Sequence, residues 1–145
     1  MNVNACMSTE VRLASPHESI REAARTMKEI DAGILPVGEN DRLVGMITDR
    51  DIAVRAVAEG KGPDTNVRDV MSREVLYCYD DERLDDVARQ MRELQIRRMP
   101  VLNREKRLVG IISIGDLALT DEDGTARAAN ALGGVSTPGG LHTQG

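Results

Sequence analysis

Aromatic side chains are almost missing from this chain: it has no tryptophan or phenylalanine, and Tyr77 and Tyr79 are its two tyrosines. Gripping single-stranded nucleic acid by base stacking is therefore excluded, and any base bound here must lie mainly on aliphatic side chains. Cysteine is as scarce. Cys6 and Cys78 are too few for a disulfide framework, and their spacing fits neither a zinc site nor a Cys-x-x-Cys pair. They read as small, mostly buried hydrophobes. Positive charge is in deficit: 19 Lys and Arg against 24 Asp and Glu leave a net charge of -5 and a pI near 5.1. That balance argues against a nucleic-acid partner held by a general basic surface. No apolar run approaches the roughly 20 residues that span a bilayer. The opening stretch Met1-Asn2-Val3-Asn4-Ala5-Cys6 lacks the basic segment and apolar core of a secretory signal. The expected location is the cytoplasm, with neither membrane nor nucleic acid as partner. His17 and His142 stand alone, without convergent Cys or acidic residues, so no metal site is expected.

What is present is repetition. Sliding the chain by 64 places sets Met7-Ser8 on Met71-Ser72, Glu10-Val11 on Glu74-Val75 and Pro36-Val37 on Pro100-Val101. One extra residue in the second copy's turn then pairs Gly45 with Gly110 and Asp51 with Asp116. Of 44 positions compared, 18 are identical, and self-similarity of this kind decides the fold. The copies occupy residues 5–60 and 68–120, joined by a linker at 61–67 and followed by a Gly-, Ala-, Ser- and Thr-rich tail at 121–145 that is expected to be mobile.

Each copy reads as β-α-β-β-α, an α+β arrangement. Short strands are expected at Val11–Ala14 and Val75–Cys78. A helix then opens at Ser15, with Pro16 at its first position and Glu18 closing a capping box. Asp80 stands at the matching place in the second copy. Ile20, Ala23, Ala24, Met27 and Ile30, like Leu84, Val87, Ala88, Met91 and Leu94, follow three-four spacing and predict one buried stripe per helix. Strands follow at Ile34–Val37 and Arg98–Val101, where Pro36 and Pro100 indicate a sheet edge or a strand end. The methionines at 7, 27, 71 and 91 recur at matched places and read as core. Asp80-Asp81-Glu82 and Asp85-Asp86 read as a solvated acidic face at a helix start. Each copy alone is marginal for independent folding, so the two are expected to pack sheet to sheet.

The most repeated stretch is Gly45-Met46-Ile47-Thr48-Asp49-Arg50-Asp51, which returns as Gly110-Ile111-Ile112-Ser113-Ile114-Gly115-Asp116. A buried strand here delivers a hydroxyl and a carboxylate to the first turn of a helix. On spacing alone Thr48-x-x-Asp51 and Ser113-x-x-Asp116 are helix-capping motifs. With the Pro-Val pairs before them, these segments resemble the cystathionine β-synthase (CBS) domain pattern, taken twice, over roughly residues 5–119. The resemblance implies two CBS repeats packed about a pseudo-two-fold axis, often as a homodimer. It also implies an adenosine-containing ligand in clefts between the repeats: AMP, ADP, ATP, NAD or S-adenosylmethionine.

Carried onto this chain, that chemistry points to a definite set of residues. Thr48 and Ser113 would meet phosphate at a helix start, where amides are exposed. Asp51 and Asp116 would accept the two ribose hydroxyls, as acidic residues do in dinucleotide folds. Arg50, Arg97 and Arg98 would offset phosphate charge, surface ion pairing being the other reading of Arg97 and Arg98. Adenine would lie on Val11, Ile34 and Leu35, or on Val75, Arg98 and Met99, and Pro36 and Pro100 complete the expected ligand-binding residues. The two sites are not equivalent, since Gly33-Ile34 becomes Arg97-Arg98 and Asp49-Arg50 becomes Ile114-Gly115; the sequence leaves open which binds phosphate better. No cofactor is required. A regulatory sensor read by an unknown downstream protein is expected, the alternative being a ligand-free scaffold. No activated nucleophile, base or metal cluster supports an enzyme.

Overall fold

The apolar stripes form as spaced. In the computed structural model, which describes residues 1–118, helix α1 spans Ile20–Ile30 and buries Ile20, Ala23 and Met27. Helix α3, Leu84–Leu94, buries Leu84, Val87, Ala88 and Met91. Both helices stop at a left-handed residue, Asp31 or Gln95. The tail and His142 lie outside the described residues.

Both helices start later than their capping signals indicate. Ser19 caps α1, its Oγ accepting from Glu22 N at 3.2 Å. Ser15 instead closes a turn: its own N–H donates to Glu18 Oε1 at 2.7 Å, and its Oγ accepts from His17 N at 3.2 Å. Tyr79 N donating to Glu82 Oε2 at 2.6 Å repeats the turn before α3. Asp80 is therefore no cap, and Arg83 holds the N-cap position without a side-chain bond. The reason lies in the orphan amides of a helix start. Ile20 N finds Thr65 O at 2.9 Å and Leu84 N finds Met1 O at 3.2 Å, so each helix begins where a distant segment serves its first donor.

The strands form two small sheets. β1 (Ile34–Glu39) and β2 (Arg42–Thr48) make an antiparallel hairpin, turned at Asn40 and Asp41 with φ of 55° and 63°. A three-stranded sheet runs β3-β4-β5, with β3 (Cys78–Tyr79) parallel to β4 (Arg98–Leu102) and β5 (Leu108–Ser113) antiparallel to it. The strand expected at Val11–Ala14 reduces to a single bridge, Ala14 to Val37. β4 is central rather than an edge, yet Pro100 lies one residue before β3 pairing begins at Val101, so its missing N–H breaks no ladder bond there. After β2, α2 (Asp49–Asp51) widens into a π-helical stretch, Ile52–Val57, and Gly60 ends it at φ 76°. After β5 comes α4, Ile114–Ala118.

The folded units are drawn differently from the repeats. One compact unit is Arg12–Val75; the other joins Met1–Val11 to the chain from Leu76 onward. Each repeat's leading segment packs on the other repeat's sheet. Met46 and Ser72 exchange two backbone hydrogen bonds of 2.9 Å in the first unit, and Ile111 and Ser8 do the same in the second. The crossing is close enough to require a bare backbone. A Cβ on Gly45 would stand 2.7 Å from both Met71 Sδ and Ser72 O, and one on Gly110 2.6 Å from Met7 Sδ and 2.8 Å from Ser8 O. Met27, Met71 and Met91 are buried, and Met7 packs against a core.

Cys78 sits in the second unit's core with Cys6 packed against it, as small hydrophobes do. Burial, then the charges of Glu82 and Asp80, push the Cys78 thiol up to about 12 from 9.0. The unfolded thiol therefore ionises first, so its contribution to stability is intact below pH 9 and is lost as pH rises toward 12. Wild type should lose stability over that window faster than Cys78→Ala in urea titrations; parallel curves contradict this.

Overpacking costs about 1–3 kcal/mol, so Gly45→Ala and Gly110→Ala should each lower the unfolding free energy in urea titrations by that order. Gly62→Ala, where a Cβ meets nothing within 4 Å, is the control and should leave the unfolding free energy within about 0.5 kcal/mol of wild type.

Candidate functional site

β2 and β5 are partly buried strands whose last residue bears a hydroxyl and whose continuation is a helix. In the first unit Thr48 N donates to Asp51 Oδ2 at 2.9 Å, and Asp51 N donates to Thr48 Oγ1 at 3.0 Å. In the second, Ser113 N donates to Asp116 Oδ2 at 2.9 Å, and Asp116 N donates to Ser113 Oγ at 3.2 Å. Both motifs are thus complete capping boxes. Each carboxylate commits one oxygen to the box, and Oδ1 takes no hydrogen bond among the described residues. Asp51 and Asp116 are half-buried rather than turned inward, so that oxygen can receive a ligand hydroxyl.

The helix-start amides are less free than the sequence indicates. Asp49 N donates to Gly33 O at 2.9 Å, and Ile114 N to Arg97 O at 3.1 Å. Arg50 N donates to Asp49 Oδ1 at 2.8 Å. In the first unit every amide from Thr48 to Asp51 is therefore taken. Gly115 has no such side-chain acceptor, because Ile114 replaces Asp49. The carbonyls of Gly33 and Arg97 are parts of the site that sequence reasoning missed; a backbone acceptor leaves no residue-type signal.

Strand register settles what faces each hydroxyl-bearing residue. Ile34 is the cross-strand partner of Thr48, and Arg98 is the partner of Ser113. Arg98 is half-buried, Arg97 and Arg50 are exposed, and none of the three makes an ion pair among the described residues. Among the described residues, surface ion pairing does not occupy Arg97 or Arg98. Arg98 thus stands across the ladder from Ser113 as a half-buried cation with no ion pair among the described residues, a group of the kind that can meet an anion.

The proposed adenine wall needs correction. Leu35 and Met99 are 0% exposed and belong to the two cores, so strand alternation turns them away from any ligand on the opposite face. Ile34, Pro36, Arg98 and Pro100 hold the other parity, with Ile34 and Arg98 half-buried and the prolines buried. Val11 and Val75 are half-buried and exchanged: Val11 belongs to the unit of Ser113, and Val75 to that of Thr48.

The acidic run does specific structural work. Asp81 takes both arms of Arg104 at 2.8 Å, and Arg104 stacks over Tyr79 at 4.1 Å. Hydrogen bonding from Arg104 holds the Asp81 carboxyl below its ordinary range. Tyr77 meets Tyr79 edge-on at 5.6 Å. The two aromatics are thus packed on each other. His17 lies in the turn before α1, 3.4 Å from Glu39. Among the described residues no group of three or more His, Cys, Asp or Glu is placed to hold a metal, and no helix is long and apolar enough to cross a membrane.

The CBS domain family model matches twice, at residues 3–57 and 67–122. The CBS domain-containing protein YhcV of Bacillus subtilis is 40% identical over 135 residues, covering 93% of this chain and 95% of YhcV. Among solved structures, Hypoxic Response Protein I with two coordinated zinc ions matches with a TM-score of 0.72 at 35% identity, over 81% of this chain and 97% of that one. The CBS domain pair of protein MJ0100, in complex with 5′-methylthioadenosine and S-adenosyl-L-methionine, gives a TM-score of 0.69 at 32% identity over the same shares.

Losing a capping hydroxyl costs about 1 kcal/mol. Thr48→Ala and Ser113→Ala should each destabilise by that order in urea titration, and Thr48→Ser should retain most of it. Equal stability of all three variants and wild type would show that the boxes do not hold the helices.

Proposed function

The chain belongs to the CBS-domain family as a tandem pair, and from that premise we propose that it is a regulatory module that binds an adenosine-containing ligand. AMP, ADP, ATP and NAD are the candidate ligands. The ribose diol is held by Asp51 or Asp116, and phosphate by Ser113 with Arg98 and Arg97. Thr48 and Arg50 form the weaker phosphate site, since Asp49 adds negative charge and the amides there are spent. Occupancy shifts the populations of two conformations, which a protein partner reads. The module works in the cytoplasm as a homodimer, with no catalysis of its own.

The observation that carries this reading is the half-buried Arg98 set across the sheet from Ser113, with no carboxylate paired to it among the described residues. The methylthioadenosine and S-adenosylmethionine bound by the MJ0100 pair support the ligand class. One observation favours a second reading. In the first unit every amide from Thr48 to Asp51 is already bonded within the chain, which leaves no helix-start amide there for phosphate, as in a scaffold that binds only protein.

Thermal melts with AMP, ADP, ATP, NAD and S-adenosylmethionine separate the two. A ligand at a hundred times its dissociation constant should add about 2.7 kcal/mol. Arg98→Ala should weaken a phosphorylated ligand about tenfold, the order expected for one lost charge-assisted hydrogen bond. No shift with any of the five leaves the scaffold.

A further inference from the structure

Both cysteines of the chain, Cys6 and Cys78, fall in the unit that joins Met1–Val11 to the chain from Leu76 onward. The first residues run antiparallel to the segment after β3. Val3 N donates to Glu82 O at 2.9 Å, Asn4 N donates to Asp80 O at 3.0 Å, and Asn2 bridges Arg83. Two residues onward on one side and two back on the other bring Cys6 alongside Cys78. A tight turn then aims the side chain. Val3–Ala5 is a 3-10 helix, and Cys6 N donates to Val3 O at 3.0 Å. Residues three apart in such a turn share a face. Val3 is 0% exposed in the core that holds Cys78, so Cys6 looks onto the same core and packs against it.

The other unit holds ordinary hydrophobes at these two places. Cys6 and Cys78 stand where the repeat has Val70 and Ala14, and both of those are fully buried in one core. Exposure separates the two thiols. Cys78 is 1% exposed, whereas Cys6 is half-buried. An oxidant arriving from solvent therefore meets Cys6 first. The two also feel each other's charge: after burial, Glu82 and Asp80, Cys6 is a further cause that pushes the Cys78 thiol up.

We propose that Cys6 and Cys78 are a redox pair that hydrogen peroxide closes to a disulfide, tying the leading segment of the chain to β3. The Cys6 thiolate attacks a peroxide oxygen and the O–O bond breaks. Hydroxide leaves, takes up a proton as water, and Cys6 becomes a sulfenic acid. Cys78 Sγ then attacks Cys6 Sγ: the S–S bond forms, the S–O bond breaks, and the departing hydroxide leaves as water with the Cys78 proton. In all, the two thiols lose two electrons and two protons, and one peroxide becomes two waters. The closing step is slow at neutral pH, because the thiolate is the nucleophile and burial has pushed the Cys78 thiol up to about 12. A bond of this kind is transient in a reducing compartment. While it lasts it fastens the segment in which Ser8 is bonded to Ile111, two residues before Ser113.

Treating the full chain with hydrogen peroxide, then alkylating it with N-ethylmaleimide in urea, tests this by intact mass and peptide mapping. The product should be a monomer lighter by two hydrogens, with neither cysteine alkylated and one disulfide-linked peptide pair holding Cys6 and Cys78. Dithiothreitol should restore both thiols. Closure should raise the melting temperature by about 5–10 °C, as a cross-link over a long loop does. Cys6→Val and Cys78→Ala install the residues of the first copy, so each variant should keep the fold while losing the intramolecular product. A dimer linked through Cys6, a Cys6 sulfinic acid with Cys78 still alkylated, or no reaction at all overturns the proposal. So does a linked chain that melts below the reduced one, since thiols already in contact close without strain.

Discussion

The fold depends on two places where backbone crosses backbone with nothing between. At Gly45 and at Gly110 a Met-Ser segment from the other repeat's stretch of chain lies across the strand and trades paired hydrogen bonds with it. Any Cβ there would collide with a carbonyl oxygen, which cannot swing aside as a side-chain tip can. The crossing sets the rest. It fixes the strand that ends in Thr48 or Ser113, and so the point where the following helix begins. It also ties each repeat's start to the other's sheet, so neither stretch of sequence completes a unit by itself.

Upon that frame one pair of side chains caps a helix and is placed to serve the proposed binding as well. A hydroxyl and a carboxylate three residues apart close a capping box, which holds the helix start without help. The box uses one carboxylate oxygen and leaves the other for a donor from outside. Capping and the proposed binding are therefore not rival readings, because capping fixes the carboxylate to which ribose hydroxyls would donate. The units then diverge through their neighbours. Asp49 spends the Arg50 amide and adds negative charge in the first, whereas Ile114-Gly115 removes both effects in the second and Arg98 stands across the ladder from Ser113.

Periodicity and repetition carried the architecture well. The helical stripes from Ile20 and Leu84, the Pro-Val strands and the hydroxyl-carboxylate boxes were all legible, because each rests on local spacing. What was not legible depends on distant chain. Ser15 has every credential of a cap, yet Ser19 takes the role because Thr65 O reaches the amide of Ile20. Leu35 and Met99 looked like an adenine wall until strand parity turned them into the cores. The exchange of Met1–Val11 and the segment before Val75 between units left one trace, the recurring Met-Ser, which reads as ordinary core until Gly45 and Gly110 are seen beneath it.

The central claim is that the unspent oxygens of Asp51 and Asp116 receive a ribose diol. Calorimetric titration of the wild-type chain with AMP and with 2′-deoxy-AMP tests it without disturbing the capping boxes. The deoxy ligand lacks one donor and should bind about tenfold more weakly, the cost of one lost hydrogen bond to a charged acceptor. Equal affinity for the two would contradict the assignment of both carboxylates.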